Sequence, residues 1–435
     1  MRSLAAATLV TIDEVTDIRY DACVVGGAGH VGAPLAIVMA THGIKTLVHD
    51  IDGKALDTIA AGRLPFLEEG GEAALRVALD AGMLGFTSDY GCTSGIPVII
   101  ITIGTPIDEF HNPVLRVVTD CIDLLLPHLS DDQTLILRST VFPGVTELVQ
   151  EHLHARGKQT KVAFCPERVV QGHATRELQS LPQIISGMTL EAEEVAVDIF
   201  SRFAPKIVRM APKEAEFAKL FSNAYRYIQF AAANQFWVMV ESEGLDYRRV
   251  LAGLKADYPR LRDLPGPGLA AGPCLYKDTL QLAAFANNQF GLGQAAINVN
   301  EGLPDFIIGE LRKRFSLQNL TVGILGMAFK ADSDDTRSSL SYKLKKLLRV
   351  RAHEVLTTDP FVRTDPALLP LNEVLDRSDL LIVGVPHSRY RSLDLSGKPV
   401  VDLWGLYGGS IIPEPRPVEL ARDVVVSTGA ARRAR

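Results

Sequence analysis

The pattern of apolar and polar positions divides the chain into three parts. From about residue 20 to residue 211, short apolar runs alternate with segments long enough to form helices. Strands separated by helices in this way predict a parallel, doubly wound sheet. The predicted strands of this first part lie at residues 21–27, 46–50, 97–104, 133–140, 161–167 and 182–187.

The middle of the chain follows a helical period instead. Apolar residues from Pro212 to about Gly244 predict one long helix, and residues 277–314 predict a second helical stretch. Strands return at Leu320 and predict a second, smaller α/β domain, with strands at residues 320–330, 353–359, 379–387 and 398–405. The predicted domains are residues 1–211, 212–316 and 317–435.

Length and charge set limits on what the protein does. A chain of 435 residues is too long for a single core, which agrees with several domains. A net charge of −6 offers no basic surface for nucleic acid, so we predict no nucleic-acid partner. No apolar run in the sequence is long enough to cross a bilayer.

The cysteines and the chain ends bear on location. Five cysteines without paired spacing indicate a reducing compartment rather than a disulfide framework. Residues 1–10 resemble a signal peptide only weakly, so we predict a cytoplasmic protein. We predict that the small, basic tail at residues 427–435 is frayed, and we predict no metal site.

A GxGxxG pattern follows the first predicted strand and opens a helix. In this pattern Gly27 allows the tight turn, Gly29 lets a pyrophosphate approach the backbone, and Gly32 lets helix and strand pack closely. The phosphates would lie on the N–H groups of the helix N-terminus, which His30 and Val31 begin.

Asp50 ends the second predicted strand, where a dinucleotide-binding domain has the carboxylate that binds the ribose hydroxyls. Its charge would repel a 2′-phosphate, which favours NAD over NADP. The alternative is a glycine-rich turn that binds nothing. With strand, helix and acid in this order, the sequence predicts an NAD-binding Rossmann-like domain.

The second α/β domain has a similar glycine-bearing strand at Gly323 and Gly326 but lacks the third glycine. Lys330 and Arg337 follow this strand and flank a run of acids. At the carboxyl end of a strand these cations suit a diphosphate or a nucleotide, although a solvated loop is an equal alternative. The predicted fold is α/β, with two Rossmann-like doubly wound domains joined by a helical middle domain.

Several polar residues stand at the ends of strands in the first domain, namely Thr105, Thr140, Glu167 and Arg168. Taken singly, such residues are typical helix caps. Because the carboxyl ends of parallel strands meet at one edge of the sheet, together they would surround the nicotinamide end of a dinucleotide site.

Two further patterns carry candidate chemistry. On the long helix, Glu216, Lys219 and Asn223 share one face, which suits either catalysis or a surface salt-bridge pattern. The stretch GPCLYKD places Cys274 before a predicted helix and Asp278 one turn later. A lone cysteine is more often a small buried hydrophobe than a nucleophile, so both interpretations stay open at this point.

Over roughly residues 20–410 the chain resembles the UDP-glucose/GDP-mannose dehydrogenase family of nucleotide-sugar 6-dehydrogenases. The order and spacing of the shared motifs make the resemblance specific. They are GAGHVG, TP at 105–106, STVFPG, PERVVQG, KLFSN at 219–223, GPCLYKD, LGMAFK and DDTR. The resemblance implies an N-terminal NAD domain, a helical middle that dimerises and a C-terminal domain that holds the nucleotide of the sugar.

The resemblance also implies a four-electron oxidation with two NAD and a catalytic cysteine. Cys274 would capture the aldehyde as a thiohemiacetal that is oxidised to a thioester, and the following helix would lower the pKa of its thiol. Lys219 and Asp278 would act on the C6 oxygen, supported by Asn223. Glu167 and Thr140 would place the water for hydrolysis.

Ligand contacts follow from the same resemblance. The implied cofactor contacts are Gly27, Gly29, His30, Val31, Gly32, Asp50, Thr105 and Thr140. The implied substrate contacts are Glu167, Arg168, Lys219, Asn223, Arg260, Gly272, Lys330 and Arg337. Arg260 resembles the arginine that reaches the sugar from a neighbouring subunit, with Arg262 as a rival, so the site would need a dimer.

The resemblance implies that the substrate is a UDP-sugar or a related nucleotide sugar. PERVVQG and Arg226 resemble the N-acetylhexosamine branch, which favours UDP-N-acetylmannosamine or UDP-N-acetylglucosamine. UDP-glucose and a dTDP-sugar stay open as alternatives. Two remoter alternatives are a one-hydride dehydrogenase of the β-hydroxyacid type, which needs no cysteine, and a nucleotide sensor without catalysis.

Overall fold

The computed structural model describes residues 19–110, 112–395, 397–408 and 412–413. The expectations for residues 1–10 and for the tail at residues 427–435 lie outside the described residues. Among the helices of these ranges, none is both long and apolar enough to cross a membrane.

The N-terminal part forms one eight-stranded sheet in the order β3-β2-β1-β4-β5-β6-β7-β8. Its strands are β1 Ala22–Val25, β2 Thr46–His49, β3 Leu84–Thr87, β4 Val98–Ile101, β5 Thr134–Leu137, β6 Lys161–Phe164, β7 Gln183–Gly187 and β8 Ile207–Arg209. The pattern of apolar runs did not reveal β3 and β8. The first, LGFT, contains a glycine and ends in threonine, and the second, IVR, has only three residues and ends in an exposed arginine, so neither gives a clear apolar run.

The expectation of an entirely parallel sheet is wrong at one edge, because β7 pairs antiparallel with β6. The chain between them forms only a four-residue helix, Ala174–Glu177. Parallel neighbours need a full crossover connection, so the strand returns in the opposite direction. The remaining pairs from β3 to β6 are parallel, as predicted.

Helices cover both faces of this sheet. They are α1 Gly32–Thr41, α2 Gly53–Ala60, α3 Gly71–Asp80, α4 Arg116–Leu125, α5 Val145–His154, α6 Ala174–Glu177 and α7 Leu190–Ser201. Val24 and Ile100 pack into the core on one face, whereas Val25 and Ile101 pack on the other. Burial on both faces explains why these strands appear as continuous apolar runs.

The middle of the chain is helical, with α8 Pro212–Ser242, α9 Tyr247–Lys255, α10 Leu275–Phe285 and α11 Gly291–Arg314. The 31-residue α8 confirms the predicted long helix. The predicted single stretch at residues 277–314 is two helices. Asn287 and Asn288 adopt positive φ angles of 50° and 60°, a left-handed conformation that asparagine tolerates and that ends α10.

The C-terminal part is a four-stranded parallel sheet in the order β10-β9-β11-β12. Its elements are β9 Thr321–Leu325, α12 Leu340–Arg349, β10 Glu354–Thr358, α13 Leu371–Arg377, β11 Leu380–Val383 and β12 Val400–Val401. Each of the four predicted strands is present. The loop between β9 and α12 leaves the carboxyl end of the sheet and faces the first domain, which places it at the candidate site described next.

Candidate active site

The glycine loop after β1 turns one residue earlier than predicted. Gly26, not Gly27, has the positive φ of 76° that the tight turn requires. A Cβ on Gly27 would lie 2.6 Å from the Val24 carbonyl oxygen, and one on Gly32 would lie 2.5 Å from the Gly26 carbonyl oxygen. Gly27 and Gly32 are therefore both packing glycines, which corrects the role predicted for Gly27.

The space around Gly29 suits a dinucleotide. The nearest atom to a Cβ placed there would be 3.6 Å away, so a ligand has room to approach the backbone. Asp50 follows β2, and its carboxylate accepts hydrogen bonds from the Ala28 N–H at 2.9 Å and the Asp52 N–H at 3.0 Å. The carboxylate stands beside the glycine loop, and the residues present fit NAD.

His30 lies where the two α/β domains face each other. Its ring stacks on Phe66 with centroids 4.2 Å apart. Burial lowers the pKa of the imidazole, and the nearby Arg337 guanidinium lowers it further, while Asp335 and Asp334 raise it. These three charges belong to the loop after β9, so that loop faces the glycine loop. Val31 precedes the first residue of α1.

One face of α8 is buried against the site. Glu216, Lys219 and Asn223 are 1%, 8% and 7% exposed, so the surface salt-bridge interpretation is wrong. The Glu216 carboxylate accepts hydrogen bonds from the Gly144 N–H at 2.6 Å and from the Thr146 N–H and hydroxyl at 2.8 and 2.6 Å. This acid therefore caps the start of α5.

Cys274 stands directly before the first residue of α10, as predicted, and is solvent-exposed. One turn later, Asp278 is fully buried and its Oδ2 accepts a hydrogen bond from Asn223 Nδ2 at 2.6 Å. Its Oδ1 lies 3.3 Å from Lys277 Nζ and accepts no hydrogen bond within the described chain. Lys219 makes no hydrogen bond or ion pair with another described residue. The structure thus brings these predicted residues together.

The expected lowering of the Cys274 pKa is wrong for the protein without ligands. Desolvation by the surrounding atoms raises the pKa of the thiol, and the negative charge of Asp278 raises it further. Lys219, Lys277 and Arg337 lower the pKa without reversing its direction. The position of Cys274 at the N-terminus of α10 therefore does not by itself decide the pKa of its thiol.

Lys277 links α10, the helix that Cys274 precedes, to the first domain. The sequence did not suggest this role, although Lys277 lies in the GPCLYKD motif. Its ammonium donates to the Thr105 carbonyl and hydroxyl oxygens, both at 3.1 Å. The Thr105 hydroxyl in turn donates to the Thr140 carbonyl at 2.5 Å. The predicted residues Thr105 and Thr140 are thus neighbours beside α10.

Glu167 is held in a buried ion pair that sequence reasoning missed. Its carboxylate accepts from the Arg138 guanidinium, and from the backbone N–H groups of Arg168 and Val169 at 2.6 and 2.9 Å. Arg138 is fully buried, and a lone arginine inside the apolar run LILRST is the signal that could have revealed it. The Arg168 guanidinium donates to the Pro182 carbonyl.

The loop after β9 is docked rather than freely solvated. Lys330 donates to the Gln171 carbonyl, and Gln171 Nε2 donates to Asp335 at 3.1 Å. Arg337 Nε donates to both carboxylate oxygens of Asp335 at 3.0 Å, and its Nη2 donates to Oδ2 at 2.6 Å. The Arg337 charge acts on both His30 and Cys274, so this loop lies at the junction of the predicted cofactor and thiol sites.

Of two further predicted substrate contacts, Gly272 lies in the chain segment just before Cys274, whereas Arg260 is exposed at the surface. Gly272 has a φ of 111°, and a Cβ there would lie 2.6 Å from the Phe329 ring, so the chain before the cysteine requires glycine. It borders a cavity of about 530 Å³ between α10, α11 and α12. Arg260 is exposed on the short helix Pro259–Leu261 and contacts the Tyr258 hydroxyl at 3.2 Å.

Three family models match the chain in sequence order. Residues 21–204 match the NAD binding domain of the UDP-glucose/GDP-mannose dehydrogenase family. Residues 213–302 match the central domain of that family, and residues 323–408 match its UDP binding domain. The matches cover the glycine loop, the face of α8 and the loop after β9.

Similar proteins have matching lengths. An NDP-N-acetyl-D-galactosaminuronic acid dehydrogenase of Ralstonia nicotianae is 28% identical, covering 92% of this chain and 100% of its own. A UDP-N-acetyl-D-mannosamine dehydrogenase of Pyrococcus horikoshii is 29% identical, covering 89% and 95%. The structure of a UDP-glucose dehydrogenase from Pyrobaculum islandicum aligns with a TM-score of 0.82 at 28% identity, covering 88% and 94%. The chain belongs to the UDP-glucose/GDP-mannose dehydrogenase family and is an NAD-dependent nucleotide-sugar dehydrogenase.

Proposed function

We propose that the protein oxidises the C6 alcohol of a UDP-N-acetylhexosamine to the uronic acid, in two steps that share one thiol. The observation that carries the proposal is the cluster around Cys274. An exposed thiol, a buried acid with an oxygen that accepts no hydrogen bond from the described residues and a buried lysine lie together, with Asn223 bonded to the acid.

The first oxidation needs a base and a stabilised oxygen. NAD, when bound by the glycine loop and Asp50, supplies the hydride acceptor for both oxidations. Asp278 takes the proton of the C6 hydroxyl directly or through a water, while the Lys219 ammonium stabilises the developing negative charge on the oxygen. Asn223 fixes the carboxylate through its 2.6 Å hydrogen bond.

The thiol makes the second oxidation possible. The sulfur of Cys274 bonds to the aldehyde carbon while the thiol proton passes, by way of the Lys219 amine, to the aldehyde oxygen. Loss of the second hydride to a second NAD, and of the hydroxyl proton to Asp278 once this acid has released its first proton to solvent, leaves a thioester. A water placed by Thr140 and Glu167 then attacks the thioester carbon, the carbon–sulfur bond breaks and the thiol regains its proton. Because Glu167 is already paired with Arg138, we propose that its role is to hold this water rather than to accept a proton.

The acetamido sugar is proposed from the relatives and the motifs together. The Ralstonia and Pyrococcus proteins act on N-acetylated sugars according to their names, and PERVVQG and Arg226 point to the same branch. UDP-glucose is the alternative, favoured by the structural similarity to the Pyrobaculum enzyme. From this product we propose that the protein works in the cytoplasm and supplies a uronic acid for the synthesis of a polysaccharide.

We also propose a homodimer and the domain division at residues 211/212 and 316/317. Phe221, Tyr225, Phe236 and Met239 recur along α8 and are 56%, 63%, 45% and 60% exposed. A helix face with such large apolar side chains needs a partner surface. A second copy placed there would also let the exposed Arg260 reach a neighbouring site.

The test measures NADH formed per sugar acid with a panel of nucleotide sugars. Two NADH per acid, without free aldehyde, are expected with a UDP-N-acetylhexosamine, and Cys274→Ala should abolish turnover. Cys274→Ser should accumulate a sugar ester, because an oxygen ester hydrolyses more slowly than a thioester, and intact-protein mass spectrometry would locate it. Normal acid formation by Cys274→Ala would exclude the thioester route, and one NADH per product would favour the one-hydride alternative.

A further inference from the structure

A fully buried histidine lies beneath the loop after β9. His387 follows β11 and is 0% exposed. Its Nδ1 is 2.9 Å from the Asp332 backbone nitrogen, which donates the hydrogen bond, and its Nε2 is 3.0 Å from Asp359 Oδ2. Since Nδ1 accepts, the ring proton lies on Nε2 and is donated to Asp359.

Asp359 extends this contact to the start of the loop. Its Oδ2 also accepts from the Met327 and Ala328 N–H groups at 2.7 and 3.0 Å. Its Oδ1 accepts from the Phe361 and Val362 N–H groups at 2.8 and 3.0 Å. Through Asp359 and its own ring, His387 therefore holds the loop at two places along its length.

Asp332 is the second of these places, and it has an unusual backbone conformation. Its φ is 52°, in the left-handed region that non-glycine residues seldom occupy. Ser388 donates to Asp332 Oδ1 from both its backbone nitrogen and its hydroxyl, each at 2.9 Å. His387 and Ser388 together fix both the backbone and the side chain of Asp332, which stabilises this conformation.

The segment held in this way carries the cations of the candidate site. Lys330 precedes Asp332 and contacts Gln171 of the first domain, and Arg337 follows it beside Cys274 and His30. Between them, Asp334 accepts from the Leu67 N–H at 3.1 Å. The loop thus presents Lys330 and Arg337 across the gap between the two domains.

We propose that His387 is a positioning residue for the reaction, which sets the loop of residues 327–337 so that Lys330 and Arg337 face the bound ligands. This inference rests on the proposed function, because it assumes that the loop contacts the nucleotide sugar or NAD. His387 touches neither ligand and acts only through Asp332 and Asp359.

The experiment distinguishes the hydrogen bond at His387 Nδ1 from the one at Nε2. Asparagine at this position offers an oxygen near the place of Nδ1, whereas glutamine reaches only the place of Nε2. His387→Ala and His387→Gln should raise KM for the nucleotide sugar roughly tenfold, with a smaller change in kcat, because the acceptor for the Asp332 N–H is lost. His387→Asn should restore KM to within about threefold of the unaltered enzyme.

Tyr390→Phe serves as the matched control. Tyr390 is buried, packs against the His387 ring and contacts the Thr358 carbonyl at 3.4 Å. Its hydroxyl also lies near the Gly326 backbone, but it forms no hydrogen bond with residues 327–337 of the described structure. The KM of Tyr390→Phe for the nucleotide sugar should stay unchanged. An equal rise in KM for all four variants would overturn the proposal, since it would show general destabilisation, and so would an unchanged KM for His387→Ala.

Amide hydrogen exchange without ligands tests the positioning role of His387 independently of the proposed function. Faster exchange at residues 328–337 in His387→Ala, but not in His387→Asn or Tyr390→Phe, is expected. If the unaltered enzyme oxidised no nucleotide sugar, the proposed function would fail while this exchange pattern could still support the positioning role. Unchanged exchange in His387→Ala would overturn that role whatever the substrate.

Discussion

At the scale of single residues, the reactivity of Cys274 depends on two charges from different elements. Asp278 on α10 raises the pKa of the thiol and Lys219 on α8 lowers it, with desolvation as the largest cause of the rise. A nucleophile that reacts as thiolate is then held mostly protonated before the substrate arrives. Such a balance limits side reactions of an exposed thiol.

The balance predicts opposite effects of two substitutions on thiol alkylation. Iodoacetamide reacts with the thiolate, so its rate with Cys274 should rise with pH through an apparent pKa above the ordinary value of about 8.5. Asp278→Asn should shift this profile to lower pH, because a negative charge is removed. Lys219→Ala should shift it to higher pH, because a stabilising positive charge is removed.

The other four cysteines are buried, so the native protein reports on Cys274. Lys213→Ala, at an exposed lysine of α8 that pairs with Glu147, is the control and should leave the profile in place. Shifts of the same sign for Asp278→Asn and Lys219→Ala would contradict this electrostatic account.

At the scale of elements, the two α/β domains use the same position in different ways. Asp50 follows β2 and Asp359 follows β10, each on the strand beside the glycine-bearing one. Asp50 accepts two backbone hydrogen bonds, whereas Asp359 accepts four from the backbone and one from His387. Only Asp50 therefore retains capacity for ribose hydroxyls, which fits NAD binding by the first domain.

The hydrogen bonds of Asp359 predict a contribution to stability in acid. Burial raises the pKa of this carboxyl, but the hydrogen bond from His387 and those from the backbone outweigh burial and lower the pKa to about 2. Because the folded-state pKa lies below the unfolded-state value, the ionised form stabilises the fold above about pH 4, and this contribution is lost as the pH falls towards 2. It amounts to roughly 2 kcal/mol at neutral pH.

Asp359→Asn should therefore lower the free energy of unfolding by about that amount at pH 7, and the difference should shrink between pH 4 and pH 2. Urea unfolding at constant ionic strength measures it. Asp376→Asn, at an exposed position of α13, should change little. A constant difference between Asp359→Asn and the unaltered protein at all pH values would show that lost packing, not ionisation, causes the effect.

At the scale of the whole molecule, the site is assembled from all three predicted domains. Lys219 of α8 and Arg337 of the loop after β9 act on Cys274 at the start of α10, and Arg337 also acts on His30 of the glycine loop. Arg260 is exposed on the central part and makes its contact within its own segment. If a dimer forms along α8, each site would use one Arg260 from the neighbouring subunit.

This arrangement predicts complementation between two inactive variants. In a mixed dimer of Arg260→Ala and Cys274→Ala, one site keeps its thiol and receives an intact arginine from the partner. Co-expressed or dissociated and reassociated mixtures should regain roughly a quarter of normal activity, because half of the dimers are mixed and half of their sites are intact. The NADH rate of the mixture, compared with the two variants alone, measures this.

Two controls accompany the mixing experiment. Arg262→Ala tests the rival arginine of the same segment, and its mixture with Cys274→Ala shows which of the two is shared. Mixed samples that never exceed the sum of their components, although chromatography shows dimers, would place the arginine in the site of its own chain or outside the site.

The sequence by itself determined most of the secondary structure, apart from β3 and β8, and it pointed to the candidate residues, whose roles came largely from the family resemblance. The spacing of apolar residues along a helix or strand involves only residues that are close in the chain. The long α8, most of the buried strands and the second α/β domain were therefore predictable. Residues at strand ends, such as Asp50, Thr105 and Thr140, were also predictable, because the ends of parallel strands gather at one edge.

Only the tertiary structure decided how distant charges meet. Several features join residues that are far apart in the chain. β7 returns antiparallel to β6, Glu216 is buried, Arg138 pairs with Glu167, and the charge of Arg337 acts on both His30 and Cys274. The direction of the Cys274 pKa depended on desolvation and on charges from several elements. Such quantities depend on distances in space, and a local pattern of residues does not contain those distances.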